Sequence, residues 1–267
     1  MADEMERSGT GSFFSRFELT RRVEEMVMPY LADLGIESWE YGQNVLIGHN
    51  GSLEAYLKKL KAKLSPAALM VKFSPDFICH VVETDEMFFL DIKTSLTPVL
   101  FHSQIEIVRK HAGRSSLARE QIGLVEREAF DNYSTRYPPE RTAICIGCPY
   151  HPEVLLAEWV SNIDVLFRFP DSINNNARGS KTPHTNIDLN TMRPLNQFLS
   201  DEFAVDIDDD EYQLLTDFVK TWPISNPGRP WKQYNACVRE LQYTCPWLRQ
   251  RIKDKWLEEP YASKKLF

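Results

Sequence analysis

Asp76, Asp91 and Lys93 have the residue types and the spacing that phosphate chemistry requires. Fourteen residues separate the two acids, and the segments Phe77–Val82 and Met87–Lys93 alternate with period two. They are expected to be two strands joined by the polar tetrapeptide Glu83–Glu86. In that hairpin Val82 lies opposite Met87, Ile78 opposite Asp91 and Asp76 opposite Lys93. One face then carries Phe77, Cys79, Val81, Phe88, Leu90 and Ile92 and is wholly apolar. The other carries Ile78, His80, Val82, Met87 and Phe89 near the turn and the three charged residues at its open end. Opposed side chains in such a pair lie about 5 Å apart and diagonal ones about 7 to 8 Å, so the carboxylates and the ammonium share one small volume. Two carboxylates are the protein's usual share of a Mg²⁺ site, with substrate phosphate oxygens and waters completing it. An ammonium beside the attacking water can orient it and ease its deprotonation. Apolar residues on both faces point to a buried central hairpin, where unpaired charge is costly unless a metal or an ion pair compensates it. The plainer alternative is a solvated strand end, with Pro75-Asp76 as a turn leading into it.

Pro75-Asp76, fourteen residues, then Asp91-Ile92-Lys93 resembles the PD-(D/E)XK motif of the restriction-endonuclease-like nuclease superfamily. The resemblance covers about twenty residues and is carried by a short motif in a hairpin context. It implies an α/β fold: a restriction-endonuclease-like core with a mixed central sheet flanked by helices. It also implies phosphodiester hydrolysis with Mg²⁺ or Mn²⁺. Carried over residue by residue, Asp76, Asp91 and the carbonyl of Ile92 hold the metal, and Lys93 serves the nucleophilic water. The helix before the sheet often lends a glutamate in that family. Glu24, on the flank of an apolar stripe, suits this better than Glu25, although a solvated helix charge is the plainer reading of either. The implied partner is nucleic acid, with DNA favoured, and the implied role is an endonuclease in restriction, phage defence or DNA processing. A homodimer or a larger assembly is expected from the resemblance alone, because cutting both strands commonly needs two sites. The competing functional readings are a non-catalytic nucleic-acid-binding or assembly protein on the same scaffold, and an unrelated α/β protein with a chance motif.

The elements that must position these residues follow from length and patterning. A chain of 267 residues with 43% hydrophobic content can form one large domain or a domain with an extension. Residues 1–12 read as a polar, disordered tail, 13–170 as the nuclease-like core, and 171–267 as a loop and a mainly helical C-terminal extension. No apolar run approaches the roughly 20 residues that cross a bilayer, so a soluble, cytoplasmic protein without membrane contact is expected. The net charge of −7 does not favour a polyanion, but phosphate contact needs only a local basic face. Residues 229–255 supply one, with seven Lys and Arg against Glu240 and Asp254. There Trp231, Tyr234, Tyr243, Trp247 and Trp256 interleave with the cations, as base-binding or as packing residues. Five cysteines are too few for a secreted disulfide scaffold. Cys145, Cys148, Cys237 and Cys245 offer four soft ligands for zinc or an iron–sulfur cluster, with buried core thiols as the alternative.

Along the chain, Ser15–Leu34 has a helical stripe of Leu19, Val23, Met26, Val27, Tyr30, Leu31 and Leu34, with Gly35 as its stop. Val45–Ile47 suggests a first strand and Ser52–Leu64 a helix whose lysines face outward. After the hairpin come a helical stretch ending near His111 and a second helix from Ser115 to about Tyr133, with Ile122, Val125, Ala129 and Tyr133 buried. Thr142–Gly147 reads as a buried strand, Pro152–Val160 as a helix and Ile163–Phe169 as a strand that closes the core. Residues 170–194 read as a long loop carrying Arg178, Lys181 and His184, and three helices follow over 210–222, 230–243 and 246–259.

Overall fold

A computed structural model describes residues 23–24, 26–42, 73–94, 102–118, 121–148, 151–168 and 183–220. The polar tail, the Val45–Ile47 strand, the Ser52–Leu64 helix, Arg178, Lys181, Cys237, Cys245 and the two last helices lie outside these residues.

Helix α1 covers residues 23–24 and 26–33 and buries Val23, Met26, Val27, Tyr30 and Leu31 of the predicted stripe in the core, with Leu34 partly buried and Leu19 outside the described residues. Gly35 ends it at a φ of 76°, a left-handed conformation that glycine adopts without steric cost. The chain then enters β1 (Ile36–Glu40), which pairs antiparallel with β2 (Phe77–Val81). β2 pairs antiparallel with β3 (Glu86–Thr94), and β3 runs parallel to β5 (Thr142–Gly147). β6 (Leu155–Trp159) and β9 (Arg193–Pro194) complete a mixed six-stranded sheet in the order β1-β2-β3-β5-β6-β9. A second, antiparallel sheet has the order β4-β8-β7, from Ile122–Glu126, His184–Asp188 and Val165–Arg168. The helices are α2 (His102–Ala112), α3 (Arg127–Thr135), α4 (Leu195–Phe203) and α5 (Asp209–Lys220). No helix among the described residues is long and apolar enough to cross a membrane.

Alternation divides the core into layers. The apolar face of the hairpin joins Ala143, Cys145, Leu155, Ala157 and Trp159 under α1, α4 and α5. Ile144, Ile146 and Leu156, on the opposite side of the sheet, pack with Ala129, Phe130 and Tyr133 of α3 and with Ile187 and Leu189. The core draws α4 and α5 into the same cluster as α1 and the hairpin, so it extends past position 170.

The hairpin departs from its expected register. Its turn is Val82–Asp85, one residue earlier than predicted, and Val81 rather than Val82 closes the ladder, opposite Glu86. Asp85 takes a left-handed φ of 58° and donates its N–H to Val81 O, while the Val82 N–H goes to Gly35 O. Each β2 residue therefore faces a β3 residue two positions earlier than predicted, and an even shift leaves every side chain on its predicted face. The second face is not buried throughout, because Val82 and Met87 are 53% and 56% exposed at the turn end.

Three further elements differ from expectation. Residues 122–126 form β4 rather than helix: Gly123 lets the strand approach β8 so closely that an added Cβ would lie 2.7 Å from Leu189 and 2.8 Å from Ile187. Residues 155–159 form β6, because a fully buried apolar run suits either conformation and the antiparallel partner β5 decides it. The predicted loop contains β8, whose composition is polar but whose buried Asn186 and Asp188 find partners in Phe167 O and the Arg114 guanidinium. β7 falls where a strand was predicted, but it belongs to the second sheet. Cys145 and Cys148 lie in the cores on opposite sides of the main sheet, which suits buried thiols rather than paired ligands. Burial pushes the Cys145 thiol up to about 12.

Candidate active site

The charged end of the hairpin is assembled as its residue types demand. Asp76 immediately precedes β2, and Asp91 and Lys93 point to one face of β3. Continuing the observed ladder places Asp76 opposite Asp91 rather than opposite Lys93, so the acids face each other and the lysine sits diagonally. Lys93 Nζ donates to Asp91 Oδ1 at 2.6 Å and lies 3.5 Å from Asp76 Oδ2. The Ile92 N–H donates to Asp76 Oδ2 at 3.3 Å. Asp91 is fully buried, Asp76 nearly so, and the Lys93 side chain keeps 30% of its surface exposed, which leaves an approach for substrate.

Electrostatics follow from this burial. Burial drives the Asp76 carboxyl well above the usual aspartate range; Lys93 opposes the rise, and Asp91, Glu24 and a hydrogen bond with Asp91 add to it. Burial alone lowers Lys93, but Asp76 and Asp91 outweigh it and hold the ammonium charged above its ordinary value. Glu24 adds a smaller electrostatic contribution that raises both Asp76 and Lys93.

Helix α3 supplies a residue whose place in a helical stripe suggested only core packing. Tyr133, fully buried, donates its hydroxyl to Asp91 Oδ1 at 2.9 Å, with Ser74 O 3.4 Å away. Asn132 Nδ2 donates to Phe73 O at 3.2 Å, so one turn of α3 grips both the segment leading into Asp76 and the side chain of Asp91. The signal in the sequence is the hydroxyl itself, since a tyrosine in a buried stripe needs a partner for it. Burial, then Asp91 and Asp76, push the phenol well above its ordinary range, so it stays a neutral donor. Tyr133→Phe is expected to keep the fold at a cost of about 1 to 2 kcal/mol. If Asp91 holds a divalent ion, the variant should also weaken Mg²⁺ affinity about 10-fold, because Tyr133 fixes the carboxylate that would bind it. A metal requirement unchanged in that variant would limit Tyr133 to packing.

Asp91 Oδ2 is buried and accepts no hydrogen bond from a protein donor among the described residues. A buried carboxylate oxygen left unpaired is costly, and a cation at that point would compensate it. Asp76 and Asp91 offer carboxylate oxygens of the kind a hard divalent ion accepts. Among the described residues no group of three or more His, Cys, Asp and Glu side chains is arranged to hold a metal ion.

The raised Asp76 also links stability to pH. Folding raises this group, so above the ordinary aspartate value of 3.8 the folded chain holds a proton that the unfolded chain has released. Metal-free stability attributable to Asp76 thus falls as pH rises, and a divalent ion, which favours the ionised form, offsets the loss. Any thermal shift that Mg²⁺ produces is expected to grow as pH rises above the ordinary aspartate value of 3.8 and to flatten in Asp76→Asn. A shift that shrinks with pH in the wild type contradicts this.

Comparison of the chain with known proteins finds no matching family model, no matching curated protein and no matching solved structure.

Proposed function

We propose that the chain is a metal-dependent nuclease that hydrolyses phosphodiester bonds, with DNA as its substrate. The observation that carries this reading is the convergence of Asp76, Asp91 and Lys93 on one partly open volume, with Asp91 Oδ2 left unpartnered. The order α1, three antiparallel strands, α2, β4, α3 and a strand parallel to β3 is compatible with a restriction-endonuclease-like core into which α2 and β4 are inserted.

When bound, Mg²⁺ or Mn²⁺ supplies charge stabilisation at the phosphate and eases ionisation of water. Asp76, Asp91 and the Ile92 carbonyl would hold the ion. In the metal-free chain both carboxylates favour the ammonium form of Lys93, which suits a donor rather than a base. It donates hydrogen bonds instead, holding the water for attack on phosphorus and countering the negative charge that grows as the bond to the leaving sugar oxygen breaks. α3 keeps Asp91 in place through Tyr133. An endonuclease acting in restriction, defence or DNA processing, as a homodimer or within a larger assembly, is the biological setting we infer.

Incubation of the purified chain with plasmid, single-stranded DNA and RNA, each with Mg²⁺, Mn²⁺ or EDTA, tests the reading. Cleavage that EDTA abolishes and either ion restores is expected. Binding without cleavage under every condition would point instead to a non-catalytic nucleic-acid-binding protein.

A further inference from the structure

Next to the carboxylates, the same face of the sheet is aromatic. Extending the β1–β2 register places Tyr41 beside Asp76, and the Tyr41 N–H donates to Asp76 O at 2.7 Å. Gly42 makes this approach possible: at a φ of 58° it passes so near Pro75 that an added Cβ would lie 2.6 Å from the Pro75 carbonyl oxygen. One pleat repeat toward the turn, about 6.8 Å away, the next row on this face is Trp39–Ile78–Phe89. Tyr137, just beyond α3, closes the group, with its ring centroid 5.0 Å from Phe89 and 6.4 Å from Tyr41. The Tyr41 and Phe89 rings are 5.7 Å apart. All three rings are partly exposed, and Trp39 is 50% exposed on the same face.

A ring cluster one pleat repeat from the reacting phosphate sits where the base of the cleaved nucleotide would lie. In a duplex that base is stacked inside the helix and cannot meet the rings; an unpaired base can, and any base offers a face for stacking. The row beyond, Glu37–His80–Met87, is unsuited to phosphate: His80 lies 3.8 Å from Glu37 and 2.8 Å from Asp85, so carboxylates repel the backbone there. The contact therefore spans about two bases before the strand must leave the sheet.

Resting on the nuclease reading, we propose that the substrate is single-stranded or unpaired at the cleaved nucleotide, with its flanking bases stacked on Tyr41, Phe89 and Tyr137 and on Trp39.

The test compares Mg²⁺-dependent cleavage of one oligonucleotide as a single strand and as a duplex, then walks a single abasic position through the single strand. The single strand is expected to be cut at least about 10-fold faster, and cleavage beside the abasic position to fall about 10-fold with other positions unaffected. Trp39→Ala, at an exposed site that does not threaten the fold, is expected to raise KM for the single strand several-fold at unchanged melting temperature. The abasic walk needs no variant, so a misfolded mutant cannot decide the question. Metal-dependent cleavage that ignores both strandedness and abasic position overturns the stacking proposal and leaves the nuclease reading standing. No metal-dependent cleavage of any substrate overturns both.

Discussion

Lys93→Met is expected to lower metal-dependent cleavage by about 10²- to 10³-fold, the range for loss of a donor that stabilises charge developing at the reacting centre. The reason is geometric: the ammonium lies 2.6 Å from Asp91 and 3.5 Å from Asp76, and it is the partly exposed member of the trio that can reach a water on the substrate side. The same variant carries a second, independent signature. In metal-free protein it leaves two buried carboxylates without their cation. Breaking a fully buried pair costs about 3 to 5 kcal/mol. Lys93 keeps 30% of its side-chain surface, so a loss nearer 2 kcal/mol is expected. Saturating Mg²⁺ should recover much of that stability without recovering activity. Denaturant melts with and without Mg²⁺, run beside the cleavage assay, check both halves. Full cleavage by Lys93→Met would place the chemistry elsewhere or in a contaminant.

Asp91→Asn is the second large effect. The carboxylate is fully buried, its Oδ1 is shared by Lys93 and Tyr133, and its Oδ2 accepts no hydrogen bond from a protein donor among the described residues. Asparagine keeps the shape and an acceptor for Tyr133 but removes the charge that a divalent ion needs. Losing several kcal/mol of metal-borne stabilisation at about 1.4 kcal/mol per decade corresponds to a fall of about 10³-fold or more. Mg²⁺ binding measured by calorimetry should weaken in parallel. A variant that still cuts within about 10-fold of the wild type would remove Asp91 from the metal site and leave its orphaned oxygen as a structural cost.

Lys93 and Asp91 are legible in the sequence because alternation is a local property. Period two assigns Phe77, Cys79, Val81, Phe88, Leu90 and Ile92 to one face and Asp91 and Lys93 to the other, whatever strand lies beside them, and all six apolar residues are buried. Even the misplaced turn does not disturb this, since it moves the register by an even number of residues. The stripe of α1, its stop at Gly35 and the buried strand Thr142–Gly147 are legible for the same reason. Segments 122–126 and 155–159 are not, because their apolar patterns fit helix and strand alike until a partner strand is present.

By itself, then, the chain's order of residues determined which side chains share a face and where an acid, an acid and a lysine could gather. Tertiary structure decided which of them oppose each other, that the face stays open toward the turn, and that Tyr133 holds Asp91 from 42 residues away. It also brought Tyr41 and Tyr137 together across 96 residues. Backbone periodicity acts between neighbours and survives any packing. The pairing of distant segments depends on burial and on hydrogen-bond partners that exist only once the sheet has formed.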